Sequence, residues 1–88
     1  MTNEDPYELR RAILAQLEAA YPASMPEESM LSVLKLCGFE VDGAELKRQC
    51  QYLCERGFVR FVSSKISPSQ TRTRITPEGV DYIQCGGF

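Results

Sequence analysis

The sequence predicts a mainly helical α+β domain in which three helices are followed by a two-stranded ribbon and a last helix. Three observations carry that reading. Apolar residues recur at helical spacing as far as Gly57. Beyond it the pattern changes to the two-residue alternation of strands over 58–62 and 71–75. Capping and turn residues mark each change of element. With 88 residues there is room for one domain, spanning 1–88.

The first helix opens at Asp5-Pro6-Tyr7-Glu8, where Asp5 can cap, Pro6 suits the first turn and Glu8 completes a capping box. Leu9, Ile13, Leu14, Leu17, Ala20 and Tyr21 form its apolar stripe, Arg10, Arg11 and Glu18 face water, and Pro22 stops it. Ser24-Met25-Pro26-Glu27 starts a second helix by the same logic. Met30, Leu31, Leu34 and Cys37 are its buried side, and Gly38 ends it. Phe39 and Val41 flank Glu40 in an alternation long enough only for a bridge-like strand.

Asp42, with Glu45 three residues on, repeats the capping box and opens a third helix over about 42–56. Leu46, Cys50 and Leu53 are its apolar face, and Gly57 its end. Phe58-Val59-Arg60-Phe61-Val62 is β-branched and aromatic. Ser67-Pro68-Ser69-Gln70 is turn chemistry, and Thr71-Arg72-Thr73-Arg74-Ile75 returns, with Arg72 and Arg74 on one face. Thr76-Pro77-Glu78-Gly79 caps a final helix that buries Val80 and Ile83.

This order resembles the winged helix-turn-helix fold, with a recognition helix at about 42–56 and a wing at about 58–75. Leu53-Cys54-Glu55-Arg56-Gly57-Phe58-Val59, followed by Ile75-Thr76-Pro77-Glu78-Gly79, is similar to a signature common in winged-helix transcription regulators. A further resemblance covers most of the chain. Glu28-Ser29-Met30-Leu31, the helix end from Leu34 to Gly38, the spaced Leu46, Cys50 and Leu53, and the two corners just named resemble small, largely uncharacterised winged-helix proteins of Mu-like phages and prophages. That resemblance implies fold and phage origin but brings no activity that can be carried over residue by residue.

Charge is unevenly spread. Between Lys47 and Arg74, seven basic residues face one acid, Glu55, a balance of +6. The first 46 residues hold three basic and nine acidic side chains, a balance of −6. Such a split points to a working face that meets an anion. On the third helix, Lys47 and Arg48 suit guanine edges and Gln51 suits adenine. On the wing, Arg60, Lys65, Arg72 and Arg74 suit phosphates. Double-stranded DNA is therefore the expected ligand, through regulation of transcription or an accessory role.

The competing reading is a protein-interaction module whose charges are ordinary solvated faces. It draws on the caps Asp42 and Glu45 and on the net charge of −2. A specific regulator is expected to dimerise. Helix 1 and the segment through Phe88 are the expected surfaces, with Tyr7, Tyr21, Tyr82 and Phe88 as contact candidates; a phage protein is the other expected partner.

Other classes are disfavoured. There is no histidine, G-x-S-x-G or P-loop, so no enzyme and no cofactor are expected. No apolar run approaches the ~18 residues of a membrane span, no amphipathic helix has a cationic face, and the N-terminus is acidic, so cytoplasm is the expected compartment. Cys37, Cys50, Cys54 and Cys85 lack zinc-knuckle spacing and are expected to be reduced, buried filler without metal.

Overall fold

Residues 6–63 and 71–86 are described by the computed structural model of the 88-residue chain. The elements run α1 (Pro6–Ala20), β1 (Met25–Pro26), α2 (Glu27–Leu36), α3 (Gly43–Glu55), β2 (Val59–Ser63), β3 (Thr71–Ile75) and α4 (Pro77–Gln84). The fold is α+β, mainly helical, and of winged-helix type. Asp5, Lys65, the 67–70 turn and Phe88 lie outside the described residues.

The core forms where three helices converge on the base of the sheet. Leu9, Ile13, Leu14 and Leu17 of α1 meet Met30 and Leu34 of α2, Leu46, Cys50 and Leu53 of α3, and Val59 and Ile75 at the strand ends. Tyr21, expected on the α1 stripe, is exposed instead, because the helix has already ended at Ala20.

Helix α3 begins and ends where the sequence indicates. Asp42 is its N-cap, and its carboxylate accepts from the Glu45 amide at 2.8 Å. At the far end the Gly57 amide donates to the Cys54 carbonyl at 3.0 Å and the Phe58 amide to the Leu53 carbonyl at 2.9 Å. That Schellman closure needs a left-handed residue, and Gly57 has φ +83°. The end of α2 is closed in the same way by Phe39 and Leu34.

The third strand is not where the alternation at Phe39 and Val41 placed it. Residues 39–42 form no strand; Phe39 is buried and Val41 half-buried against the core. The strand is β1, paired antiparallel with β3 at Met25↔Thr73 and Pro26↔Arg72. A two-residue strand is fixed by the neighbour it meets rather than by its own pattern. Proline is tolerated there because β1 is a sheet edge. Pro26 thus becomes the N-cap of α2, with no side-chain cap bond, and Ser24 is released from that duty.

The sheet order is β1-β3-β2, and β2 pairs antiparallel with β3 from Val59↔Ile75 to Ser63↔Thr71. Helix α4 closes the far side. The Thr76 hydroxyl accepts from the Gly79 amide at 3.1 Å and donates to the Gly57 carbonyl at 2.7 Å, tying the α4 cap to the α3 end. Gly79 lies so close to the strands that a Cβ there would stand 2.3 Å from the Phe58 carbonyl oxygen and 2.7 Å from an Ile75 side-chain carbon. The close approach lets Tyr82 stack on Phe58, with ring centres 4.3 Å apart.

Two of the cysteines do not follow the buried-filler expectation. Cys50 is buried and Cys54 half-buried, whereas Cys37 and Cys85 are exposed as the C-caps of α2 and α4, where the chain leaves each helix.

Candidate nucleic-acid interface

With Leu46, Gln49, Cys50 and Leu53 facing inward, the 3.6-residue period leaves Ala44, Lys47, Arg48, Gln51 and Glu55 on the outside of α3. All five are exposed. Lys47 carries no ion pair or hydrogen bond among the described residues. Arg48 is paired with the Glu45 carboxylate one turn back. Gln51 donates from Nε2 to Glu55 at 3.1 Å, which fixes one side of its amide. Hydrogen bonds from Gln49 and then Arg48 hold the Glu45 carboxyl below its ordinary range, so it remains an anion beside these donors.

Lys47 and Gln51 also wall a groove of about 400 Å³ between α3 and the ribbon, completed by Glu27, Met30, Leu46, Cys50, Phe61, Thr71 and Thr73. Arg48, at the other margin of this outer face, lines a second groove shared with Pro6, Leu9 and Arg10 of α1. At the floor of the first groove, burial pushes the Cys50 thiol up to about 12; the Glu27 charge adds to that shift and a hydrogen bond from Thr73 opposes it. Cys50 is thus an uncharged thiol at neutral pH. A Cβ on Gly43 would stand 2.9 Å from a Glu27 carboxylate oxygen, so the first residue of α3 packs closely on the start of α2.

The wing cations do not form one surface with α3. Val59, Phe61, Thr73 and Ile75 share the ribbon face that meets the core and the groove. Alternation then puts Arg60, Arg72 and Arg74 together on the opposite face, with Arg60 directly across from Arg74. Arg72 and Arg74 are half-buried rather than exposed. Arg72 donates to the Ser24 hydroxyl and to the Ser24 carbonyl, both at 2.8 Å, clamping the sheet to the α1–α2 connection. Arg74 Nε is buried with no partner among the described residues. Arg60 is exposed and unpaired among them.

Two further cations are engaged at the end of α3. The Arg10 guanidinium lies 4.0 Å from the Tyr52 ring centre and donates to Gln49 at 2.7 Å. Arg56 stands 5.7 Å from the Tyr52 ring and 5.3 Å from the Phe58 ring, and donates to the Tyr52 hydroxyl at 2.7 Å. Of the seven basic side chains between Lys47 and Arg74, Arg56 and Arg72 are therefore committed internally and Arg48 is shared with Glu45. Sequence reading missed this Arg–aromatic column; the i, i+4 spacing of Tyr52 and Arg56 was its only signal.

A crystal structure of a probable transcriptional regulator from Pseudomonas aeruginosa shares this fold. It matches with a TM-score of 0.66 and 17% identity, over 85% of this chain and 52% of that one. The chain thus spans about half the length of that regulator. At this identity the likeness establishes the winged-helix fold and nothing finer. No family model and no curated protein matches the chain.

Proposed function

We propose that this chain is a double-stranded DNA-binding winged-helix protein, a transcriptional regulator or DNA-associated accessory protein of a phage or prophage. One observation carries the reading. Helix α3, capped by Asp42, closed at Gly57 and packed into the core, holds Lys47, Arg48 and Gln51 together on its exposed side. A rigid helix with donors on its outer face suits a major groove. Lys47 and Gln51 are the base-reading candidates and Arg48 contacts base or phosphate once released from Glu45. Arg60 on the wing is a candidate for the DNA backbone, as is Lys65, which lies outside the described residues.

The test is an amide NMR titration with mixed-sequence duplex at low salt. Shifts along α3 that fade as salt rises are the expected result. If Arg48, Arg60 and Lys65 each neutralise one phosphate, the log–log salt slope is about −2.7, from about −0.9 per contact. No shift on α3 at low salt refutes DNA binding.

A second reading, a protein-interaction module of a phage or prophage, is favoured by the internal use of Arg56 and Arg72 and by the turning of the wing arginines away from the α3 groove. It predicts no response to duplex and a protein partner retained at high salt.

A further inference from the structure

One acid, Glu55, stands on the exposed side of α3 with Lys47, Arg48 and Gln51, and two physical costs attach to it. Glu55 is the only acid between Lys47 and Arg74, so it lowers the charge of the segment that would meet phosphates. It is also the last residue of α3, where a carboxylate opposes the helix dipole. No cation offsets it. Among the described residues Glu55 forms no ion pair, and Arg56 beside it is turned to the Tyr52 and Phe58 rings. Its contact is with Gln51, one turn back, whose Nε2 donates to the carboxylate at 3.1 Å. An exposed bond at this spacing stabilises a helix no more than an acid at that end destabilises it. Helix stability therefore does not account for the pair.

What the bond does is orient an amide. A carboxylate only accepts, so the Gln51 atom beside it is the nitrogen, and Oε1 is turned away. Gln51 is left with one acceptor and one remaining N–H to present. In the major groove adenine shows an acceptor, N7, and a donor, N6–H, and such an amide meets both. Guanine shows two acceptors, N7 and O6. Reading both takes two donors, and Gln51 has already given one N–H to Glu55. Without Glu55, the amide is free to turn its NH2 to guanine.

We infer that Glu55 is a positioning residue of the α3 face: it holds the Gln51 amide in the orientation that reads adenine and withholds the second donor that guanine needs. The inference rests on the DNA-binding reading of α3, and adds to it the base preferred and the residue that selects it. Glu55 acts only through Gln51.

The test is selection by the full chain, at low salt, from a duplex pool with a randomised core, followed by sequencing. Parent, Gln51→Ala, Glu55→Ala and the double variant are compared. Both side chains are exposed, so the variants keep the parent's fold, checked by circular dichroism. The parent is expected to enrich adenine over guanine at one position by about 5- to 140-fold, the discrimination of one bidentate contact. Gln51→Ala loses that preference and leaves the other positions as they were. Glu55→Ala still binds duplex but admits guanine at the same position, and the adenine-to-guanine ratio falls toward one. The double variant matches Gln51→Ala, as it must if Glu55 acts through Gln51. A Glu55→Ala pool with the parent's ratio overturns the inference and leaves DNA binding in place. So does a parent pool in which Gln51→Ala affects no position, or in which the affected position is guanine. A chain that retains no duplex overturns the DNA reading and this inference with it.

Discussion

Replacing Arg72 with alanine removes a guanidinium that donates twice to Ser24, at 2.8 Å to the hydroxyl and 2.8 Å to the carbonyl. Hydrogen bonds from a charged donor are worth about 1.5–3 kcal/mol each in net stability. Arg72 is half-exposed, and water recovers part of that for both ends, so the pair is worth about 2 kcal/mol together. A domain of 60–100 residues loses roughly 4–8 °C per kcal/mol, giving a fall in Tm of about 8–16 °C. Arg60→Ala is the matched control. Arg60 is exposed and unpaired among the described residues, so its loss changes stability by less than about 0.5 kcal/mol. Thermal denaturation followed by circular dichroism measures both, and a duplex-binding salt series on the same samples supplies the second readout. Arg60→Ala should flatten the slope by about 0.9 and leave the melt alone. Arg72→Lys should melt near Arg72→Ala, because an ammonium cannot reproduce the two-pronged contact. The reasoning fails if Arg72→Ala melts within about 2 °C of the parent while flattening the salt slope, for the guanidinium would then be serving phosphate.

Gly79→Ala must push a methyl against the Phe58 carbonyl at 2.3 Å; a loss of about 3 kcal/mol or more in urea denaturation is expected, as backbone cannot step aside. Thr76→Val keeps the shape but removes the α4 cap and the bond to the Gly57 carbonyl, at a cost of about 1–3 kcal/mol in the same assay. Because folding raises the Cys50 thiol from 9.0 to about 12, its contribution is complete below pH 9 and is lost as the pH climbs toward 12. Stability should therefore fall along that alkaline limb by up to about 4 kcal/mol, and Cys50→Ala should flatten it. Thiol labelling at neutral pH should modify Cys37 and Cys85 promptly in the folded chain, and Cys50 only on unfolding.

The fold was legible wherever the chain carries its own instructions. Asp42 with Glu45 set the start of α3, Gly57 set its end, and the alternation from Thr71 to Ile75 set β3. Strand β1 was hidden because Met25 and Pro26 are a strand only by virtue of β3 beside them. The outer face of α3 was legible too, since helical period alone puts Lys47, Arg48 and Gln51 opposite Leu46, Cys50 and Leu53. The fate of the arginines was not. Ser24 lies 48 residues from Arg72, and no local pattern announces a pairing at that range. Summing charge along the chain also added side chains that a ribbon sends to opposite sides. The burial of Val59 and Ile75, predictable from their apolar character, contained the clue to which side the arginines take.

The contact at Gly79 bears on how such chains are compared. The Thr-Pro-Glu-Gly corner exists because a hydroxyl must reach two backbone groups and a helix must ride over a carbonyl without a methyl between them. Both demands come from one strand–helix junction. A search keyed to that corner will therefore gather chains by the way they are assembled, mixing DNA readers with protein binders. Sorting them calls for a second key, taken from the exposed positions 44, 47, 48, 51 and 55 of α3 and the four exposed positions of β2, where packing leaves the residue free to follow function.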